Sequence, residues 1–418
     1  EFLYVKNNDN QLFTLAYYFK AGTWSNPFLS MAADYLSFLG TDNLSAQDIS
    51  KQFYDIACSF NINTAAETTT ISISGLQENF DKAVALFEHL LSNCRPDEKA
   101  LSDLKSRLLK ARANQKLNKS AIMMGLSSYA LYGPKNPFNH TLSDNQINGV
   151  TGQQLTDILH DLFHYKHEVL YFGPKPQNQF ITEVEKFHHF PKNYIAFPEE
   201  VKFTPVVQTS NSVLFADYDM VQSEITWVRN SITYNASLEP TVDLFNKYFG
   251  GGMGSVVFQN IREAKALAYS TFAVYTKPPK ENEPFIIRAY VGSQADKMND
   301  AVIAMNELLN HLPESENSFI AAKTNLTKDL ETSRITDFEI INYWLSLQRR
   351  GINHDIRKDV YTAIPGMTFN NVESFHKKYV ANQPYTYCIV GSKDKISLDN
   401  LNKIGAVKTL SLEEIFGY

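Results

Sequence analysis

Residues 248–269 read Tyr-Phe-Gly-Gly-Gly-Met-Gly-Ser-Val-Val-Phe-Gln-Asn-Ile-Arg-Glu-Ala-Lys-Ala-Leu-Ala-Tyr. The glycines at Gly250, Gly251, Gly252 and Gly254 let the backbone reach φ > 0 or come close to another chain. They join two helical stretches. They do not make a phosphate cradle, because the Walker lysine is absent and no strand–glycine–helix nucleotide unit is apparent. Behind the glycines, Phe258-Gln259, Arg262-Glu263 and Ala266-Leu267-Ala268-Tyr269 follow in order. This spacing puts Arg262 at the end of a helix and Tyr269 at the start of the next strand.

Outward from this block the chain runs the same programme twice. Strand-like segments Leu12–Phe19 and Glu224–Thr233 each lead to a helix and then a glycine, in Phe38-Leu39-Gly40 and Tyr248-Phe249-Gly250, 210 residues apart. Thr69–Ser74 and Phe285–Val291 alternate with the period of a half-buried strand. Amphipathic helices follow, Phe80-x-x-Ala83-Val84-x-x-Phe87-x-x-Leu90-Leu91 and Met298-x-x-Ala301-Val302-x-x-Met305-x-x-Leu308-Leu309, now 218 residues apart. The second offset also pairs Lys105, Leu108 and Lys110 with Lys323, Leu326 and Lys328. Two ordered self-matches argue for duplication, and two copies are too few for a solenoid. We expect an α+β protein of two similar consecutive domains, residues 1–195 and 196–418. Each would be a mostly antiparallel sheet with helices on one face. The boundary falls in the Pro-containing stretch around Pro191, Pro198 and Pro205.

The block 248–269 and the doubled plan resemble the insulinase/pitrilysin family of zinc peptidases over nearly the whole chain. In that family the first helix carries H-x-x-E-H, in which two His hold zinc and the Glu activates water. This chain has Met31-Ala32-Ala33-Asp34-Tyr35, followed by Gly40-Thr41 and the helix start Ser45-Ala46-Gln47-Asp48. Met31 and Tyr35 stand where the His belong, and Asp34 where the Glu belongs. The family's third ligand, a Glu, lies in a later long helix. Here no Asp or Glu occurs from Leu104 to Ser143, and Lys105, Arg107, Lys110, Arg112, Lys116 and Lys119 crowd the segment. A thioether, a phenol and a row of cations do not make a zinc site. The expectation is therefore no metal in this chain. The basic row reads either as a solvated face or as a positive chamber wall that favours acidic peptide segments.

The resemblance implies that this chain is the C-terminal half, or an inactive partner subunit, of a two-half peptidase. A zinc-binding N-terminal half, in the same polypeptide or a separate one, would bring zinc and the general base. This half would bring Arg262, Tyr269 and the glycine turn to a bound peptide. The family usually has Gly where this chain has Ala266. The other reading is a structural or peptide-binding protein of the same fold with no peptidase partner.

The rest of the sequence narrows the field. A net charge of −6 argues against a nucleic-acid binder driven by overall charge, and no run of about 18 apolar residues indicates a membrane span. Cys58, Cys94 and Cys388 lie far apart and read as small buried residues. His160, His164 and His167 read as a surface histidine cluster, and His188-His189 as similarly bland. No G-x-S-x-G elbow appears. A strand and turn begin at Leu3 with no leader before them, so we expect a processed chain or one cut from a longer protein. The composition fits a bacterial protein, and family habit implies the periplasm or cell envelope.

Overall fold

Two apolar runs, Val169-Leu170-Tyr171-Phe172 and Tyr387-Cys388-Ile389-Val390, hold equivalent interior places in two sheets. The structure, a computed structural model, describes residues 1–418 apart from the side chain of Leu398. The first sheet contains β1 (Phe2–Lys6), β2 (Leu12–Phe19), β3 (Cys58–Thr64), β4 (Thr69–Leu76) and β5 (Glu168–Gly173). Its order is β1-β5-β2-β4-β3, with β1 parallel to β5 and every other pair antiparallel. The second contains β6 (Ser212–Asp217), β7 (Gln222–Thr233), β8 (Ser270–Thr276), β9 (Pro284–Gln294), β10 (Thr386–Gly391) and β11 (Ala406–Thr409). Its order is β11-β6-β10-β7-β9-β8, with β6 parallel to β10 and to β11. The two orders coincide strand for strand, β1 matching β6, β5 matching β10, β2 matching β7, β4 matching β9 and β3 matching β8. β11 is an added edge strand.

The duplication extends to the helices. Helix Phe80–Asn93 buries Phe80, Ala83, Val84, Phe87, Leu90 and Leu91, the stripe that its period gives. Helix Met298–Asn310 buries Met298, Ala301, Val302, Met305, Leu308 and Leu309 in the same way. Ser45 caps helix Ala46–Asp55: its hydroxyl accepts from the Asp48 N–H, and the Asp48 carboxylate accepts from the Ser45 N–H.

By packing, one compact unit comprises Glu1–Ala113, His140–Lys202 and Ile335–Tyr343; the other comprises Asn114–Asn139, Phe203–Arg334 and Trp344–Tyr418. Helix Lys119–Tyr132 therefore goes with the second sheet. It lays Ile122, Leu126 and Leu131 against Leu214, Val228, Cys388 and Val390. That cover adds to the helices of the repeat itself, and it lets β10 be buried along its whole length. We retain 195/196 as a proposed boundary between the sequence repeats.

Candidate functional site

Helix Leu29–Leu36 carries the three degenerate positions. Met31 and Tyr35 are buried in the core of the first unit. The Tyr35 hydroxyl donates to the Asp97 carbonyl and accepts from the Asp97 N–H, both at 2.7 Å, just ahead of helix Glu98–Lys116. Tyr248 does the same job in the second unit, donating to Pro313 O at 2.6 Å and accepting from Ser315 N at 3.0 Å ahead of helix Glu316–Thr332. The helix that would hold zinc is thus built like its counterpart in the other repeat, with a phenol pinning two backbone groups. Asp34 remains at the surface. Partial burial raises its carboxyl pKa, and the Arg107 charge nearby opposes that rise. Arg107 itself lies over the Phe38 ring, 5.1 Å from its centroid.

These residues do not fit zinc. Two of the three positions are occupied by packed side chains without a suitable donor, and the third faces a guanidinium. Among the described residues, no group of three or more His, Cys, Asp or Glu side chains could hold a metal ion.

The basic segment is largely committed to structure. Lys105 Nζ donates to Asn148 O at 2.9 Å and Val150 O at 2.7 Å. Arg112 pairs with Asp144 and reaches Thr141 and Leu142 O. Lys116 meets Glu413 and lies over the Tyr418 ring, and Lys119 pairs with Glu224 at 2.6 Å. Neither a freely solvated face nor an open positive wall describes these four residues.

The glycine block is formed as a tight turn against β8. Helix Glu239–Phe249 ends at Gly250, where a Cβ would lie 2.0 Å from Ala273 O. Gly252 has φ +96°, a conformation that favours glycine. Ser255 Oγ donates to Gly252 O at 2.7 Å, and Gln259 Nε2 to Met253 O at 2.6 Å. The segment Phe258–Ala264 is a π-helical turn, a form that occurs often at functional sites. Ile261 is buried under it while Arg262 is about half exposed, lying over the Phe258 ring at 4.9 Å and 3.8 Å from Glu263. Leu267 N–H and Ala266 N–H fold back onto Ile261 O and Arg262 O. Ala266 takes φ +49°, so the position where the family favours glycine is left-handed in this chain too.

Tyr269 is 56% exposed at the start of β8, and its hydroxyl accepts from Gln294 Nε2 at 2.9 Å. The phenol proton is left to donate elsewhere. Arg262 and Tyr269 do not bond each other among the described residues. They flank one connector, and each offers hydrogen-bond donors to solvent.

The histidines depart from expectation. His160, His164 and His167 do not converge: His160 meets Cys94, His164 meets Asp161, and His167 is buried. His167 Nε2 lies 2.9 Å from His188 Nε2, His188 Nδ1 lies 2.9 Å from Glu88, and Tyr17 donates to the same carboxylate at 2.8 Å. Tyr17, Phe163 and Phe190 pack around the pair. A surface cluster is thus replaced by a buried polar chain. It was missed because Glu88 and His188 are 100 residues apart in sequence. The alternation of β2, which points Tyr17 inward, was the one available signal.

Comparison with known proteins agrees with this picture. Residues 21–144 match the model of the insulinase family (peptidase family M16), and residues 151–326 match that of the peptidase M16 inactive domain. An uncharacterized zinc protease of Bacillus subtilis, YmxG, is 23% identical over 320 residues, covering 73% of this chain and 75% of that protein. The peptidase M16 inactive domain of Pseudomonas fluorescens superposes with a TM-score of 0.72 at 17% identity, covering 94% of this chain and 95% of the other. The periplasmic protease PqqL of Escherichia coli gives a TM-score of 0.72 at 14% identity over 92% of this chain, but only 43% of its own length. With the repeated sheet order, the two family matches and a first helix that cannot hold the metal, this chain belongs to the insulinase (peptidase M16) family as a member without the family's zinc site.

Proposed function

We propose that this chain is the non-catalytic half of a two-half zinc peptidase. A separate or fused zinc-binding half supplies the metal, its ligands and the general base. This half forms part of the substrate chamber and contacts the bound peptide through Arg262 and Tyr269. Hydrolysis builds negative charge on the scissile carbonyl oxygen. A guanidinium and a phenol held on a preorganised turn stabilise that charge better than mobile water does. The observation that carries the reading is a contrast: the zinc-helix positions Met31 and Tyr35 have become core, while Arg262 and Tyr269 remain exposed. PqqL, described as a periplasmic protease, is more than twice the length this chain covers, as expected if such halves are paired.

The test is reconstitution. The chain alone leaves a peptide intact, and adding its zinc half starts cleavage. Arg262→Ala or Tyr269→Phe lowers the reconstituted turnover by about 10²–10³-fold. Unchanged turnover in both variants removes these residues from the reaction. Peptide binding without any zinc half encoded nearby favours a peptide-binding protein that needs no peptidase partner.

A further inference from the structure

A part-open pocket of about 140 Å³ lies within the first unit and uses none of Met31, Asp34 or Tyr35. Its apolar lining includes Phe19, Leu29, Ile158, Leu162 and Phe197. The chain over residues 195–201 roofs it and is pinned at both ends. Ile195 N–H donates to His164 O and Val201 N–H to Trp24 O, both at 3.0 Å. Phe197, held between these anchors, stacks on Tyr165 at 4.7 Å and 15°. Among the described residues the lining has one carboxylate, Asp161, and no Lys or Arg. Burial, and after it the Asp161 charge, raises the Tyr165 phenol pKa, so the carboxylate's field reaches the aromatic wall. The neighbour on Asp161 is His164 at 3.4 Å, and both side chains are more than half exposed.

We propose that this pocket binds a lysine or arginine side chain of a peptide. Its methylenes lie along Leu29 and Leu162, and its cation sits between Asp161 and the Tyr165–Phe197 pair. An apolar stem with a charged end is what such walls accept, and stacked rings beside a carboxylate favour a cation. A free diamine fits worse: with one carboxylate present, its second charge would be left against Phe19 and Leu29 without a partner. The proposal stands apart from the role given to Arg262 and Tyr269.

The test is calorimetric titration of the whole chain. The probes are a doubly blocked Gly-Gly-Lys-Gly-Gly, its arginine and norleucine counterparts, and cadaverine. We expect the lysine and arginine peptides to bind at least about tenfold more tightly than the norleucine peptide, which matches the stem without the charge. Asp161→Asn, at an exposed position, loses about tenfold of that affinity while keeping the parent thermal midpoint. Phe197→Ala also weakens binding. Equal binding of the norleucine peptide, indifference to Asp161→Asn, or no binding by any probe overturns the proposal. Cadaverine binding as tightly as the lysine peptide overturns the assignment to a peptide.

Discussion

Ala266 shows what one residue can reveal. Its φ of +49° is left-handed, a conformation that costs a residue with a Cβ about 1–2 kcal/mol. Ala57, just ahead of β3, has the same φ at the equivalent helix-to-strand connection of the first unit. Both turns are therefore conformations that glycine would adopt more easily. Ala266→Gly should raise the unfolding free energy by up to about 1 kcal/mol, because relief of strain outweighs glycine's greater chain entropy. Chemical denaturation would measure this, and a destabilised variant would mean that the turn depends on the alanine methyl. The sequence made the departure at Ala266 visible, and the spacing of Arg262 and Tyr269 was legible for the same reason: each depends on near neighbours. The His167–His188–Glu88 chain was not legible, because tertiary folding alone brings those side chains together.

At the scale of elements, the paired lysines are the clearest link from sequence to structure. The 218-residue offset matched Lys105 with Lys323. Lys323 Nζ donates to Pro365 O at 3.1 Å and Met367 O at 2.9 Å, as Lys105 does to Asn148 O and Val150 O. Each lysine ties a long helix to two carbonyls at the end of a later short helical segment. Lys105→Met and Lys323→Met should each cost about 1–3 kcal/mol, since the carbonyls lose a charged donor while the stem's packing is kept. Urea midpoints of the two variants should fall by similar amounts. A loss confined to one of them would show that the repeats do not share the device. The same geometry explains why the basic row misled: charge in a sequence does not say whether a cation faces solvent or a backbone carbonyl.

At the scale of the whole molecule, both units carry a neutral buried histidine. Burial lowers His167 and His376 to about 4, against an unfolded value near 6.5. This places the neutral forms in the folded state, so the unfolded chain binds more protons between these two values. Their contribution is full above about pH 6.5 and is lost as the pH falls toward 4, up to about 3 kcal/mol for each residue. Unfolding midpoints should therefore drop steeply from pH 7 to pH 4.5, and His167→Gln should flatten part of that drop. A profile that stays level over this range would show that neither histidine is held neutral. The doubled sheet order was legible from the sequence because each strand and helix keeps its own period. The assignment of Asn114–Asn139 to the second unit was not, since a local pattern does not say which sheet a helix covers.

The central claim is that catalysis must come from another half because this one cannot hold the metal. The measurement that bears on it most directly is the zinc content of the purified chain, stripped of metal, re-exposed to zinc and then freed of excess. The account predicts a stoichiometry near zero, given that Met31 and Tyr35 are packed in the core and Arg107 faces Asp34. A value near one zinc per chain would contradict it and make this half a metalloprotein in its own right.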